Sequence, residues 1–358
     1  MQDAVLSFGN SGSDANDTHI KLLRYYHEAI GKPERRKIIA RERSYHGVTV
    51  AAASLTGLPV TQNHFDLPVD ALGILRTDHP HYYRGKQGDE SETEFVDRIV
   101  GNLEAMIVRE GPETIAAFIA EPITGASGVI VPPEGYYQKV QAVLNRYGIM
   151  FWADEVITGF GRTGNDFGCT TMAIESPDMM TFAKQLSSAY MPISASAIRR
   201  EMYDAMIEQS ASAGAFGHGY TYSGHPVACA VALKTLQIYQ RDKIFEKAAV
   251  SGAYLQKRLA EFADHPLVGE VRGSGLIGAL ELVANKETGE PFVGGAVGGY
   301  AQKMAQDNGL LIRTVAGSCL GFCPPLIITN EQIDEMIEKV APALDATLDH
   351  CKKENLLR

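Results

Sequence analysis

Six short, strand-like apolar runs, several of them apolar almost throughout, separated by longer amphipathic stretches, constrain this chain more than any other feature. They cover residues 5–8, 37–41, 115–120, 149–154, 179–183 and 193–198. A strand that is apolar on both faces must be covered on both, as in a mostly parallel sheet with helices on each side. The stretches between supply those helices. One, over residues 13–30, stops at Gly31 with Pro33 just beyond; another, over 226–239, follows a glycine-containing turn. The expected class is α/β. At 358 residues the chain is long enough for a large domain plus a smaller one.

Beyond residue 245 the pattern changes. A charged amphipathic helix over 244–262 precedes a glycine-interrupted strand over 268–282, a turn over 286–291, a further helix and short strands over 310–313 and 320–323. Thr329, with Gln332 three residues on, is a capping box opening the last helix. We therefore expect a large α/β domain over residues 1–245 and a smaller α+β domain over 246–358. His79 and His81 have a spacing that could hold a metal. No third ligand lies nearby in sequence, so residues 78–89 read as a polar loop and no metal is expected.

Charge and composition exclude several function classes. The net charge is −10 and the basic residues are scattered, so no nucleic-acid partner is expected. Arg35-Arg36-Lys37 reads as a solvated run leading into a strand. Five cysteines, with no CxxC pair, point to reduced thiols and a cytoplasmic setting. No apolar run approaches membrane-spanning length, and no basic-then-apolar signal follows Met1. Soon after Met1 the chain enters Val5-Leu6-Ser7-Phe8 and a glycine-rich turn, as in the middle of a domain.

Three places carry chemistry. The turn Asn10-Ser11-Gly12-Ser13 follows the first expected strand and opens a helix, so the N–H groups of Gly12 and Ser13 face a position that favours an anion such as phosphate. A serine-rich N-cap also forms without any ligand. Asp154-Glu155 ends an apolar strand at the carboxyl edge of the sheet, where open α/β folds bind ligands. A carboxylate there suits a cationic partner, or else caps a neighbouring loop. Lys184 directly follows the strand over 179–183. It either snorkels to the surface or, desolvated, is a reactive amine able to form a Schiff base. In chain order these are an anchor for a phosphate, a partner for a pyridinium nitrogen and an amine for an aldehyde. Pyridoxal phosphate needs all three.

Longer strings narrow this further: NSGSDANDT, IIARERSYHG, IAEPITGASGVIVPPEGY, ADEVITGFGRTG, TFAKQLSS, HGYTYSGHPVACAVAL and CPPLIIT, which run through essentially the whole chain. Through them the sequence resembles the class III pyridoxal-phosphate aminotransferases, and within these the pyruvate-dependent ω-aminotransferases and GABA:pyruvate aminotransferases. The resemblance implies the fold-type I transferase architecture and a homodimer, or larger assembly, with shared active sites. It implies that Lys184 carries pyridoxal 5′-phosphate and that Asp154 keeps the pyridine nitrogen protonated. Tyr45 and Val156 would cover the two faces of the ring, with Gly12 and Ser13 as the phosphate cup and Glu121 near the ring hydroxyl. Thr221 would reach the neighbouring subunit's phosphate, and Arg313 would swing in to bind a substrate carboxylate.

The implied reaction moves an amino group from an amine or ω-amino acid (GABA, β-alanine or a diamine) to a keto acid, pyruvate, by a ping-pong mechanism. Asp14 stands where glutamate is more usual, and GASGV replaces the commoner GAGGV. Members of the family carry a further N-terminal segment that supplies substrate-pocket residues. Two other readings share the same cofactor residues. One is an aminomutase or racemase on this fold; the other is a truncated, catalytically impaired relative.

Overall fold

Seven strands form one sheet: β1 (Val5–Gly9), β2 (Lys37–Arg41), β3 (Ile74–Thr77), β4 (Ile115–Ala120), β5 (Met150–Asp154), β6 (Met179–Phe182) and β7 (Ser194–Ile198), in the order β1-β7-β6-β5-β4-β2-β3. The computed structural model describes residue 1 and residues 3–358. From β3 through β2, β4 and β5 to β6 every pairing is parallel, whereas β7 runs antiparallel to both β6 and β1. Two reversals restore direction, so β1 points the same way as β6. The carboxyl ends of β1, β2, β4, β5 and β6 and the amino end of β7 therefore share one edge. This is the edge at which open α/β sheets collect ligands.

All six residues of β4 are buried, as a central strand covered on both faces requires. The first helix, α1 (Gly12–Ala29), lays Ile20, Leu22 and Leu23 into the same core cluster as Ile38, Trp152, Met179 and Ile198. Each such side chain, fully buried, contributes about 1.5–3 kcal/mol. β3 did not stand out in the sequence. It has four residues, and Arg76 interrupts the apolar run to donate to the carbonyls of Ser54, Leu55 and Thr56.

Two compact units divide the chain. The first comprises Met1–Ile123, Pro132–Phe160 and Phe167–Arg241; the second comprises Thr124–Val131, Gly161–Asp166 and Asp242–Arg358. The second holds an antiparallel sheet of β8 (Val268–Ser274), β9 (Ile277–Asn285), β10 (Glu290–Pro291), β11 (Arg313–Val315) and β12 (Cys319–Phe322). β9 is buried at every residue but its last and pairs with β8, β10 and β12. The helices Ile244–Ala260, Ala296–Asp307 and Asn330–Lys353 belong to this unit, and Thr329 and Gln332 form the capping box of the last. Among the described residues no helix is long and apolar enough to cross a membrane.

Four local expectations need correction. The run over 268–282 is a hairpin rather than one strand: Gly275 turns the chain at φ 55°, and Ser274 pairs with Ile277. Residues 310–313 do not form a strand ending at Arg313; Arg313 begins β11, opposite Gly321. Arg35 is not simply solvated, since its guanidinium donates to the carbonyls of Ile115, Tyr147 and Gly148. Residues 78–89 are not a plain loop. They contain the one-turn helix Tyr82–Gly85, and the Tyr82 hydroxyl donates to the Glu90 carbonyl at 2.7 Å.

Candidate active site

At the shared edge of the first unit lies a cavity of about 350 Å³. Residues at five strand ends line it. Gly12 and Ser13 follow β1, Tyr45 follows β2, Glu121 follows β4, Asp154 and Val156 come from the end of β5, and Lys184 follows β6. The cavity thus brings together all but two of the residues singled out in the sequence. Thr221 is exposed in a turn and does not line it, and Arg313 is an exposed residue of the second unit.

The turn before α1 is organised by Asp14. Its carboxylate accepts from the backbone N–H groups of Asn10 at 2.9 Å and Ser11 at 3.1 Å and from the Ser194 hydroxyl at 2.9 Å. Ser11 in turn accepts from the Asp14 N–H, completing a capping box. The N–H groups of Gly12 and Ser13 are left with no intramolecular partner among the described residues, at the positive end of an 18-residue helix. Val48 N–H donates to the Ser13 hydroxyl, whose own proton stays available. A Cβ on Gly12 would lie 3.0 Å from the Val156 side chain, so glycine keeps this wall of the cavity open.

Asp154 is 2% exposed and receives three donors. Asn16 Nδ2 (3.0 Å) and His46 Nδ1 (2.8 Å) both reach Oδ2, while the Val156 N–H reaches Oδ1 at 3.1 Å. A carboxylate only accepts, so the His46 proton sits on Nδ1. Two carboxylate oxygens offer four acceptor positions; three are filled, and the one remaining is on Oδ1 of a residue that lines the cavity. Glu155, the next residue, does something else. It accepts from the Thr158 hydroxyl and from the N–H groups of Gly168 and Cys169, and burial pushes its carboxyl above the usual range. Of the two alternatives for this acidic pair, each residue takes one: Asp154 faces the cavity and Glu155 caps a loop.

Lys184 begins a short 3-10 turn, Lys184–Leu186, and holds φ at 40°, in the left-handed region. Ser188 and Ala189 are also left-handed, at 49° and 61°. The turn is pinned where the Tyr239 hydroxyl donates to the Gln185 carbonyl at 2.9 Å. Across the cavity, Glu121 Oε1 accepts from the Tyr45 N–H at 2.9 Å. The Glu121 carbonyl accepts from Arg41, itself 1% exposed, at 2.6 Å and from the Tyr137 hydroxyl at 2.7 Å.

Asn16, His46 and Arg41 are the site residues to which the sequence assigned no role. Asn16 had a usable signal, since it lies four residues after Gly12 and so on the same face of α1. Arg41, the last residue of a strand, looks the same in sequence whether it faces solvent or a carbonyl.

Comparison with known proteins is consistent over the whole chain. A family model described as aminotransferase class-III matches residues 2–344. Gamma aminobutyrate transaminase 3, chloroplastic, of Solanum lycopersicum is 50% identical over 341 residues, covering 95% of this chain and 65% of that protein. A solved structure described as a transaminase with L-ala aligns at TM-score 0.94 and 51% identity, covering 96% of this chain and 81% of that one. The ω-transaminase of Pseudomonas jessenii in complex with PMP aligns at TM-score 0.93 and 49% identity, covering 96% and 75%. The chain spans just under two thirds of the length of several of the curated gamma-aminobutyrate transaminases it matches.

Proposed function

Because the chain belongs to the class III aminotransferase family, we propose that it binds pyridoxal 5′-phosphate and moves an amino group from an amine or ω-amino acid to a keto acid. The observation that carries this reading is the cavity itself. Two unclaimed helix N–H groups, a carboxylate with one acceptor position left and a lysine amine meet in one pocket. That donor and acceptor set fits a phosphorylated, cationic heteroaromatic aldehyde.

The cofactor, when bound, supplies an aldehyde carbon that amines attack and a ring that withdraws electrons from that carbon. The residues of the chain do the rest. The N–H groups of Gly12 and Ser13 hold the phosphate, and the last acceptor position of Asp154 receives the ring N–H. Tyr45 and Val156 would cover the two faces of the ring, and Glu121 would serve its hydroxyl. Lys184 would hold the cofactor through Nζ and, once released from it, would serve as general base and general acid for the proton moved at the substrate carbon. Amine and keto acid react in turn at one centre, so the kinetics are ping-pong.

The relatives support a donor of the GABA or ω-amine kind, since GABA transaminases and ω-transaminases align over nearly the whole chain. Pyruvate is the acceptor we propose, because the structure described with L-ala holds the amino acid that pyruvate becomes on amination. Thr221 is exposed and outside its own chain's cavity, which suits a residue that serves the other subunit of a homodimer.

The test is direct. Pyridoxal phosphate added to the protein should give a visible absorption band that GABA or a simple amine bleaches, and pyruvate should then be converted to alanine in equal amount. Isomerised substrate without alanine would mean a mutase or racemase, and no band at all would end the reading. Mixing Lys184→Ala with Thr221→Ala subunits should restore part of the activity. A mixture no better than its parents would remove the shared site.

A further inference from the structure

Three buried side chains behind Asp154 form a single line of hydrogen bonds, and chemistry sets the direction of each. Trp152 Nε1 can only donate, and it donates to Thr181 Oγ1 at 2.8 Å. Thr181 therefore uses its own proton toward Asn16 Oδ1, also at 2.8 Å. That makes Oδ1 the accepting end of the Asn16 amide. Nδ2 then faces Asp154 Oδ2 at 3.0 Å and the His46 carbonyl at 2.6 Å. Trp152, Thr181 and Asn16 are each 0% exposed, so water does not compete for these bonds. The line crosses from β5 through β6 to α1, with Asp154 and Thr181 paired in register on the two strands.

We propose that Asn16 is a positioning residue for Asp154. Oriented by Thr181 and, behind it, Trp152, it fills Oδ2 together with His46 and so leaves the free acceptor position on Oδ1, turned to the cofactor's ring N–H. The inference rests on the reading that Asp154 meets that ring nitrogen. If the Thr181 hydroxyl is lost, Asn16 Oδ1 is left buried without a donor, and the amide is held only by its Nδ2 bonds and can shift away from Asp154 Oδ2.

The experiment compares pyridoxal phosphate with its 1-deaza analogue, whose ring carries C–H in place of nitrogen. Binding to the cofactor-free protein is read from quenching of Trp152, the single tryptophan of the chain. Asn16→Leu and Thr181→Val should each weaken pyridoxal phosphate by about tenfold, the scale of one charge-assisted hydrogen bond, while the deaza analogue stays within about twofold of wild type. Thr181→Ser should bind both as wild type does. In the cofactor-free protein Thr181→Val should also shift the Trp152 emission, because the indole N–H loses its acceptor.

Equal losses for the two ligands would mean that Asn16 only supports packing, and the proposal falls. Asp154→Asn separates the two levels. If it fails to discriminate between the ligands, the reading of Asp154 itself is wrong; if it discriminates and the Asn16 and Thr181 variants do not, only this inference fails. Should Asn16→Leu not fold, the near-isosteric Thr181→Val decides by the same criterion.

Discussion

In the first unit Asp154 is buried with three donors around it; in the second, Arg272 is buried at 8% exposure among acceptors of its own. The Arg272 guanidinium donates to the carboxylates of Glu270 and Glu281, to the Gly128 carbonyl at 2.7 Å and to Cys319 Sγ at 3.3 Å. Burial pushes the Cys319 thiol up to about 11, so it takes part as a neutral group. Gly128 is needed there, since a Cβ would lie 2.7 Å from Arg272 Nη2. Four of the five Arg272 N–H groups are thus engaged within the unit, against three of four acceptor positions on Asp154. The tallies look alike, but the open position of Asp154 belongs to a residue that lines a cavity. A buried charge whose bonds all stay among packed strands ties those strands together, whereas one with a position left open at a cavity can receive a ligand.

Substitutions should separate the two kinds of site. Lys184→Ala, in the open site, should lower turnover by about 10³-fold or more and abolish the visible band, with stability changed by less than about 0.5 kcal/mol. A reducible cofactor–lysine adduct surviving in that variant would show that another amine does the work. Arg272→Ala, in the closed site, should do the opposite. It strands two carboxylates and should cost about 3 kcal/mol by urea denaturation, at the low end for such pairs because the Glu270 side chain is 25% exposed. Cofactor affinity of the folded variant should be unchanged, and a tenfold loss would erase the distinction.

Arg313 is the counterpart of Arg272 in the same unit: exposed, at the start of β11, and followed by a strand rather than a free loop, since the Thr314 N–H donates to Gln302 and its hydroxyl to the Gly298 carbonyl. Any swing must therefore come from its side chain. We expect Arg313→Ala to slow the pyruvate half-reaction by about tenfold, one charge-assisted contact, and the half-reaction with a carboxylate-free amine hardly at all. Single-turnover rates measure this, and equal losses would make Arg313 structural.

A pH-dependent effect concerns His19, buried beneath Trp152 with its Nε2 at 3.0 Å from the Met180 carbonyl. Burial lowers its pKa from 6.5 to about 4. The folded chain thus keeps His19 neutral in a range where the unfolded chain protonates it. The stability this provides is complete above pH 6.5 and is lost as pH falls toward 4, by up to about 1.4 kcal/mol per pH unit. The stability gap between wild type and His19→Gln should narrow over that window. A constant gap would mean that His19 is already charged in the fold.

The parts legible in the sequence were those with a one-dimensional signature. β2 and β4 had the limits expected of them, because β4 is apolar throughout, as parallel strands covered on both sides are, and in β2 the charged Lys37 and Arg41 flank an apolar Ile-Ile-Ala. Lys184 and Asp154 announced themselves as charges at the ends of such strands. β3 has no such signature, and the hairpin at Gly275 turns on two residues, glycine and leucine, that carry little turn signal beyond the glycine. Asn16 lay in plain view within NSGSDANDT. Its orientation depends on Thr181, 165 positions away, and no local pattern encodes that.

One detail of Lys184 bears on how such a site persists. A non-glycine residue held at φ 40° carries about 1–2 kcal/mol of backbone strain that glycine would largely escape. The most comfortable residue for this turn is therefore the one with no amine to offer. On the role proposed for Lys184, selection for sturdiness and selection for chemistry pull in opposite directions at this single codon, and a lineage that no longer needed such a reaction would gain stability by the change that silenced it.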